Sequence, residues 1–473
     1  MDDATTDSEI YIVKFEEKHD RLHPYNLNRS SKLFISVTIC SGTLIVSYSS
    51  AVFATAVNAV SREFNVDKEV VTLGTTLFVL GFAFGPIIWA PASELRGRKW
   101  PLTISMLLGG IFTIGAAVPK SISPLLVCRF FAGVCGAGQL GLVPSVLADV
   151  YDDTTRGVAI SLYALTVFAG PFIAPFIGGF IVTGNLGWRW TLYFPAILSL
   201  VNGLISLVFL RETHAPRLLV KKAVSIRLQT KNSQARAPLE TLETNTKEPL
   251  QKYFSRPLYM LFTEPVILVV SIYMSFVYGL VYCLLGAYPL VFQGTYNMGQ
   301  GVGGLPFLGL AIGQLFACTF VIWVHNRYTK DFKNNKNLVI EQRLYPALFG
   351  APVFSIGIFW FGWTGFDSNI HWAVPTVGGV FIGFGVLCVF LPCFNYLVDS
   401  YLPLAASTVA ANIILRSSVA AAFPLFTRQM FDAMGIQWAS TLLGCLAAIM
   451  IPIPFALRIY GPRLRKKSKI LLS

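Results

Sequence analysis

The sequence predicts an all-α integral membrane protein of twelve transmembrane helices arranged as two pseudo-symmetric six-helix bundles, and three observations predict it. Of 473 residues, 54% are hydrophobic and 13% charged, with mean hydropathy +0.61, where an ordinary soluble domain is about a quarter charged. Apolar stretches of the ~20 residues needed to cross the hydrocarbon core recur twelve times, six on each side of a polar segment. Once those stretches are threaded through a bilayer, the basic residues gather on one face, as cytoplasmic loops require.

The first six spans are expected at 33–56, 70–93, 101–118, 124–148, 157–182 and 190–210. The second six are expected at 263–286, 300–323, 345–365, 372–396, 404–427 and 437–457. Residues 1–32 then form a cytoplasmic N-terminal tail, 33–210 the N-terminal bundle, 211–262 a basic cytoplasmic linker, 263–457 the C-terminal bundle and 458–473 a basic cytoplasmic tail. The opening tail carries Asp2, Asp3, Asp7, Glu9, Glu16, Glu17 and Asp20 without an apolar core, so a retained first span rather than a cleaved leader is expected. The eight cysteines all fall inside apolar stretches, which suits buried thiols better than a disulfide framework.

With the N-terminus placed in the cytoplasm, 30 of the 37 Lys and Arg lie inside, 5 outside and 2, Arg129 and Arg416, within spans. The asymmetry predicts both termini on the cytoplasmic side, and the net charge of +13 is thereby a topological label facing anionic lipid, with no nucleic-acid partner implied. An internal echo supports two related halves: span 4 ends at Asp149-Val-Tyr151 and span 10 at Asp399-Ser-Tyr401, each shortly after a proline, Pro144 and Pro392.

Four groups of residues carry candidate chemistry. Between spans 2 and 3, Glu94-Leu-Arg-Gly97-Arg98-Lys99 offers a turn at Gly97 and a carboxylate facing two cations, fit to hold helix ends together. In span 5, Gly170-Pro171 and Pro175 with Gly178-Gly179 place small residues and helix-bending prolines at four-residue intervals, predicting a close, pliant contact between the halves. Arg129 and Arg416 are cations at membrane depth, which costs roughly 2.5–3.5 kcal/mol on insertion scales and marks functional candidates; tying the carbonyls of broken helices is the competing reading for Arg416. No Asp, Glu or His lies in the middle of a span, so no metal site, cofactor or hydrolytic centre is expected, and an enzyme loses its raw material. A proton route would then have to use Glu94 or Asp149, near Arg98. With two arginines and no carboxylate at depth, the candidate cavity residues Tyr48, Tyr278, Tyr282, Gln314, Asn395 and Asn412 suit neutral or weakly acidic aromatics over polycations.

The span 2–3 loop resembles the loop signature of the major facilitator superfamily, with Glu94 for the usual Asp, and the span 5 run resembles its antiporter signature, with Ala174 for the second Gly. Arg129 within Leu125–Gly133 is similar to the superfamily's span 4 pattern. Further segments, including Val70–Gly81, Trp188-Arg-Trp190, Arg211-Glu-Thr213, Ala287-Tyr-Pro289, Gln342-Arg-Leu344, Asn395–Asp399 and Ala410–Arg416, are similar to fungal twelve-span drug:proton antiporters over about residues 30–465. The resemblance implies a monomeric exporter of small organic molecules such as drugs, toxins or secondary metabolites. It also implies proton exchange by alternating access, and residence in the plasma membrane or else the vacuolar one. The alternatives are a nontransporting sensor on the same fold, or an uptake carrier of sugar or polyamine type. The sugar-porter signatures, an arginine-rich loop after span 8 and Pro-Glu-Ser-Pro-Arg after span 6, are not in the sequence, where Arg211-Glu-Thr-His-Ala-Pro216 follows span 6.

Overall fold

Hydrocarbon offers backbone amides no water, so an apolar segment of membrane length closes its hydrogen bonds within itself as a helix. The computed structural model describes residues 11–15, 20, 22–152, 155–230, 235–238, 240, 256–334, 340–401 and 404–466. Of the expected inside cations, Lys18, Arg21, Lys231, Lys247, Lys252, Lys336, Lys467 and Lys469 lie outside the described residues. Helices follow at Arg29–Val52, Lys68–Arg96, Lys99–Ala117, Ile122–Val150, Arg156–Thr183 and Trp190–Phe209, then at Pro265–Pro289, Phe307–Asn334, Tyr345–Thr364 and Ala373–Ser400.

Among the described residues eleven helical segments are long and apolar enough to cross a membrane, and the last of them, Ser407–Arg465, runs to 59 residues. Gly435 divides it, leaving helical geometry at φ +77°, ψ 164°, a conformation open to glycine. Before that residue the chain runs parallel to span 7: Asn412 meets Ser271, Phe423 meets Gly279 and Thr427 meets Gly286. After it the chain runs antiparallel to span 9, Trp438 against Trp363, Ser440 against Gly362 and Gly444 against Phe359. The chain from Ala405 to Lys466 thus takes in the eleventh and twelfth spans, expected at 404–427 and 437–457, with a reversal at Gly435 between them.

Several ends differ from expectation. Span 1 is prolonged by a 3-10 turn, Phe53–Ala56, and a short helix, Val57–Phe64; span 7 continues into a π turn, Leu290–Thr295; and span 8 begins at Phe307 rather than 300. The basic linker is partly ordered: a helix at Ala215–Thr230 is followed by a two-residue strand, Ala235–Arg236, which pairs in parallel with Tyr11–Ile12 of the N-terminal tail. Val13, Ala223, Ala235 and Ala237 form a small core there, and Lys222 pairs with Asp20 at 2.8 Å.

Gly81 and Gly133 bring spans 2 and 4 together backbone to backbone, and Gly313 and Gly383 do so for the equivalent pair 8 and 10. The halves join along spans 2 and 11 and along spans 5 and 8. Val37, Ile111, Val208, Phe316 and Ile449 point outward, as lipid-facing positions do.

Candidate functional site

Span 2 ends at Arg96 and span 3 begins at Lys99, so the chain turns within two residues, and Gly97 does so at φ +88°. A Cβ there would strike the carboxylate of Glu212, which arrives from beyond span 6. Glu212 accepts from the backbone N–H of Arg98 (2.8 Å) and Lys99 (3.3 Å), and from Thr213 and His214 in its own loop (3.0 and 2.9 Å). An anion so placed satisfies orphan N–H groups at the helix start and meets its positive dipole end. The Arg98 side chain donates through Nε to Asp149 Oδ2 at 3.0 Å and through Nη1 to Ser93 Oγ at 2.8 Å. Burial, aided by the Arg98 charge and opposed by Glu212, holds the His214 imidazole down to about 4, so this residue is neutral near pH 7.

The expectation that Glu94 clamps Arg98 and Lys99 is corrected. Among the described residues Glu94 makes no ion pair; Asp149 holds the Arg98 side chain, and Glu212 holds the backbone of Arg98 and Lys99. The Lys99 ammonium lies over the Trp100 ring, 6.0 Å from its centroid.

The second half repeats the arrangement. Arg343, just ahead of span 9, donates to Asp399 at the end of span 10 at 2.6 Å, and Glu341 meets Arg465 at the end of span 12 at 2.5 Å. The echoed tyrosines also correspond: Tyr151 O–H lies 3.0 Å from Ser36 Oγ of span 1, and Tyr401 donates to Glu264 Oε2, at the start of span 7, at 2.9 Å.

The two intramembrane arginines differ. Arg129 is fully buried and donates to Gly74 O (2.9 Å), Ser49 O (2.9 Å) and Ser50 O (3.2 Å), with Phe78 against its guanidinium at 4.2 Å. Ser49 and Ser50 are the carbonyls that Phe53 and Ala54 would bond in an unbroken α-helix; the Phe53 N–H turns instead to Ala51 O, and span 1 tightens to 3-10 geometry. The carbonyl-tying role considered for Arg416 therefore belongs to Arg129. Arg416, 2% exposed, forms no hydrogen bond among the described residues; it lies between Tyr278 and Phe390, 4.8 and 5.0 Å from their centroids, and its Nε is buried without a partner.

Between the halves a cavity of about 120 Å³ reaches from Pro86, Trp89 and Ile413 down to Arg98 and Arg156 at the rim beside the span 2–3 turn, and Glu94 and Phe394 also line it. None of the six residues expected to line a cavity lies on its wall. Tyr278 and Tyr282 form the buried contact between the halves, with Tyr282 O–H 2.9 Å from Ser50 Oγ. Asn412 ties span 11 to Ser271 of span 7 at 3.2 Å, Tyr48 packs edge-on against Phe194, and Gln314 is buried with neither amide atom bonded. Asn395 is partly buried on span 10.

The outer end is shut. Gln300 Nε2 donates to Thr55 O across the halves at 2.5 Å, and a Cβ on Gly304 would lie 2.7 Å from Pro175 O. The span 5 run serves two contacts: Pro175 and Gly179 meet the second half, whereas Gly170 and Gly178 pack on span 1, with Pro171 buried beside them. At the end that carries the span 2–3 turn, span 5 meets span 8 where the His325 ring covers Gly157.

Solved structures share this architecture. The proton:xylose symporter XylE bound to 6-bromo-6-deoxy-D-glucose superposes with TM-score 0.67 at 16% identity, covering 91% of this chain and 96% of that one. The human organic anion transporter MFSD10 (TETRAN) gives TM-score 0.60 at 15% identity, covering 89% and 99%. Among sequences, the multidrug transporter TPO1_2 of Candida glabrata is 43% identical over 464 residues, spanning 98% of this chain and 80% of that protein. The multidrug transporter FLU1 of Candida albicans is 42% identical over 462 residues (97% and 76%), and the citrinin biosynthesis cluster transporter mrr1 of Monascus ruber is 40% identical over 462 (98% and 92%). A family description, Major Facilitator Superfamily, matches residues 39–424, so the paired helical halves, their repeated ion pairs at the span ends and the sequence kinship agree that the chain belongs to that superfamily.

Proposed function

We propose that the protein is a secondary active transporter that exports small organic molecules, drugs or secondary metabolites, in exchange for protons. The observation that carries the reading is the cavity between the halves, sealed at its outer end by Gln300 and Gly304 and bounded at the cytoplasmic rim by the Arg98–Asp149 pair. Its wall of Trp89, Phe394, Pro86 and Ile413 offers apolar and aromatic surface to a cargo partitioning from the cytosol or the inner leaflet. Rocking the halves about the span 2–11 and 5–8 contacts would open the outer end and close the inner one.

Asp149 is the proton-carrying group in this reading. Protonation cancels its charge and frees Arg98, so one proton alters the tie between spans 3 and 4 at the cavity mouth. Relatives about 40% identical that are named as multidrug and metabolite-cluster transporters support export. The inside cluster of basic residues supports cytoplasmic termini, and the plasma membrane is the proposed site of action of a monomer.

Inside-out plasma-membrane vesicles test the proposal. Acidifying their lumen should drive accumulation of a labelled hydrophobic drug, and a protonophore should abolish it; accumulation indifferent to the proton gradient would remove antiport, and no transport of any compound in counterflow would remove the exporter.

A further inference from the structure

Two cations are buried at membrane depth, and their surroundings give them different work. Arg129 spends its guanidinium on three carbonyls, whereas Arg416 has ring faces on two sides, an unpartnered Nε and no ion pair among the described residues. No acidic residue lies in the interior of any span, so the chain supplies no counter-charge at this depth.

Arg416 is not on the cavity wall itself but lies one helical turn from it along span 11. Ile413, one helical turn before it on span 11, lines the cavity, and so does Phe394, one turn after Phe390 on span 10. Phe390 and Phe394 are stacked 6.3 Å apart with an interplanar angle of 10°, and Phe390 also holds the guanidinium 5.0 Å from its centroid. Tyr278 and Phe168 complete the aromatic surround, Phe168 being 4.7 Å from Phe390 and 5.9 Å from Tyr278.

We propose that Arg416 is the anion-binding subsite of the transport cavity and that it takes the carboxylate of an aromatic organic acid, the rings of Phe390 and Tyr278 flanking the acid's own ring. The inference rests on the exporter reading of the same cavity. A guanidinium presents a planar pair of donors that a carboxylate matches with two parallel hydrogen bonds, which an alcohol or amide does not reproduce. An ammonium group would meet an uncompensated like charge. The aromatic surround holds the cation without neutralising it, so a bound acid gains the full charge-assisted contact in a water-poor site.

The test uses three probes on one ring system: 2-naphthoate, 2-naphthamide and 2-naphthylmethylammonium, with binding to the purified full-length protein measured by calorimetry. Naphthoate should bind about tenfold more tightly than the amide, with the ammonium weakest, and R416Q should bring naphthoate down to the amide's affinity. Equal affinities for acid and amide in the parent protein, or an acid preference retained in R416Q of unchanged melting temperature, would overturn the proposal. Should R416Q fail to fold, R416K decides: keeping the charge but losing the fork should weaken naphthoate at least about threefold, and unchanged affinity overturns the subsite. Counterflow in proteoliposomes separates this inference from the exporter reading. Arg416-dependent binding of naphthoate without counterflow of any probe keeps the subsite and overturns export, whereas counterflow of the amide with no acid preference does the reverse.

Discussion

The two halves fasten their span ends through ion pairs at equivalent places, but only the N-terminal fastening lies on the cavity. Arg98 is part of the cavity wall beside Asp149, while Arg343, Asp399, Glu341 and Arg465 of the second half are not. The chemistry differs too. Glu212 binds backbone N–H groups at the start of span 3, whereas its counterpart contact, Glu341–Arg465, is a pair of side chains with the carboxylate 3% exposed. At depth the contrast reverses: Arg129 of the first half is fully engaged and Arg416 of the second is left available. A duplicated scaffold has thus kept one half's charge pair for the rim and the other half's arginine for the interior.

The largest expected effect breaks the comparison at depth. Arg129→Met strands three carbonyls of spans 1 and 2, at about 1–3 kcal/mol for each unsatisfied group, and should abolish folded protein in size-exclusion profiles. Arg416→Met removes a cation without hydrogen bonds, and its melting temperature should match or exceed the parent's.

Next comes the rim. Asp149→Asn should lower proton-driven transport about tenfold, within the usual range of coupling energies, at unchanged protein level. Asp399→Asn loses an ion pair away from the cavity and should lower the melting temperature with transport per molecule retained. Equal transport losses in both would dissolve the distinction between the halves.

Smaller effects follow from the contacts between halves. Gly304→Val wedges the outer seal and Gly157→Val the span 5–8 contact under His325, each at ~1–3 kcal/mol of overpacking. A cysteine introduced at Asn58 should label faster in the first variant, and one at Ala148 faster in the second.

The smallest effect is that of pH on His214. Its native pKa, about 4, lies below the ordinary 6.5, so on acidification the unfolded chain takes a proton that the native state refuses. Stability should therefore fall as pH drops from 6.5 toward 4, and His214→Gln should flatten that slope in thermal melts.

The spans were legible in the sequence because bilayer thickness dictates their length, and the Asp149-Val-Tyr151 and Asp399-Ser-Tyr401 echo was legible because both halves pair the Asp with an arginine at the end of a helix. The role of Glu212 was not, since it reaches Arg98 from 114 positions away; its segment, Arg211-Glu-Thr213, showed only as a family pattern. The cavity wall was the hardest to read. A lipid-facing face is as apolar as a packed one, so hydropathy does not tell Trp89 or Phe394 from their neighbours. Polarity pointed instead to Gln314 and Asn412, one buried and unbonded, the other spent on binding span 7.

The short ladder between Tyr11–Ile12 and Ala235–Arg236 changes the length of the hinge strap. By sequence the halves are joined by everything between Phe209 and Pro265. With Ala215–Thr230 and Ala235–Ala237 packed on Val13 and the Tyr11–Ile12 strand of the N-terminal tail, the opening stretch of that connection is tied down rather than left to pay out as the halves rock. Cutting or fusing the protein near Tyr11 would therefore lengthen that strap without touching either bundle.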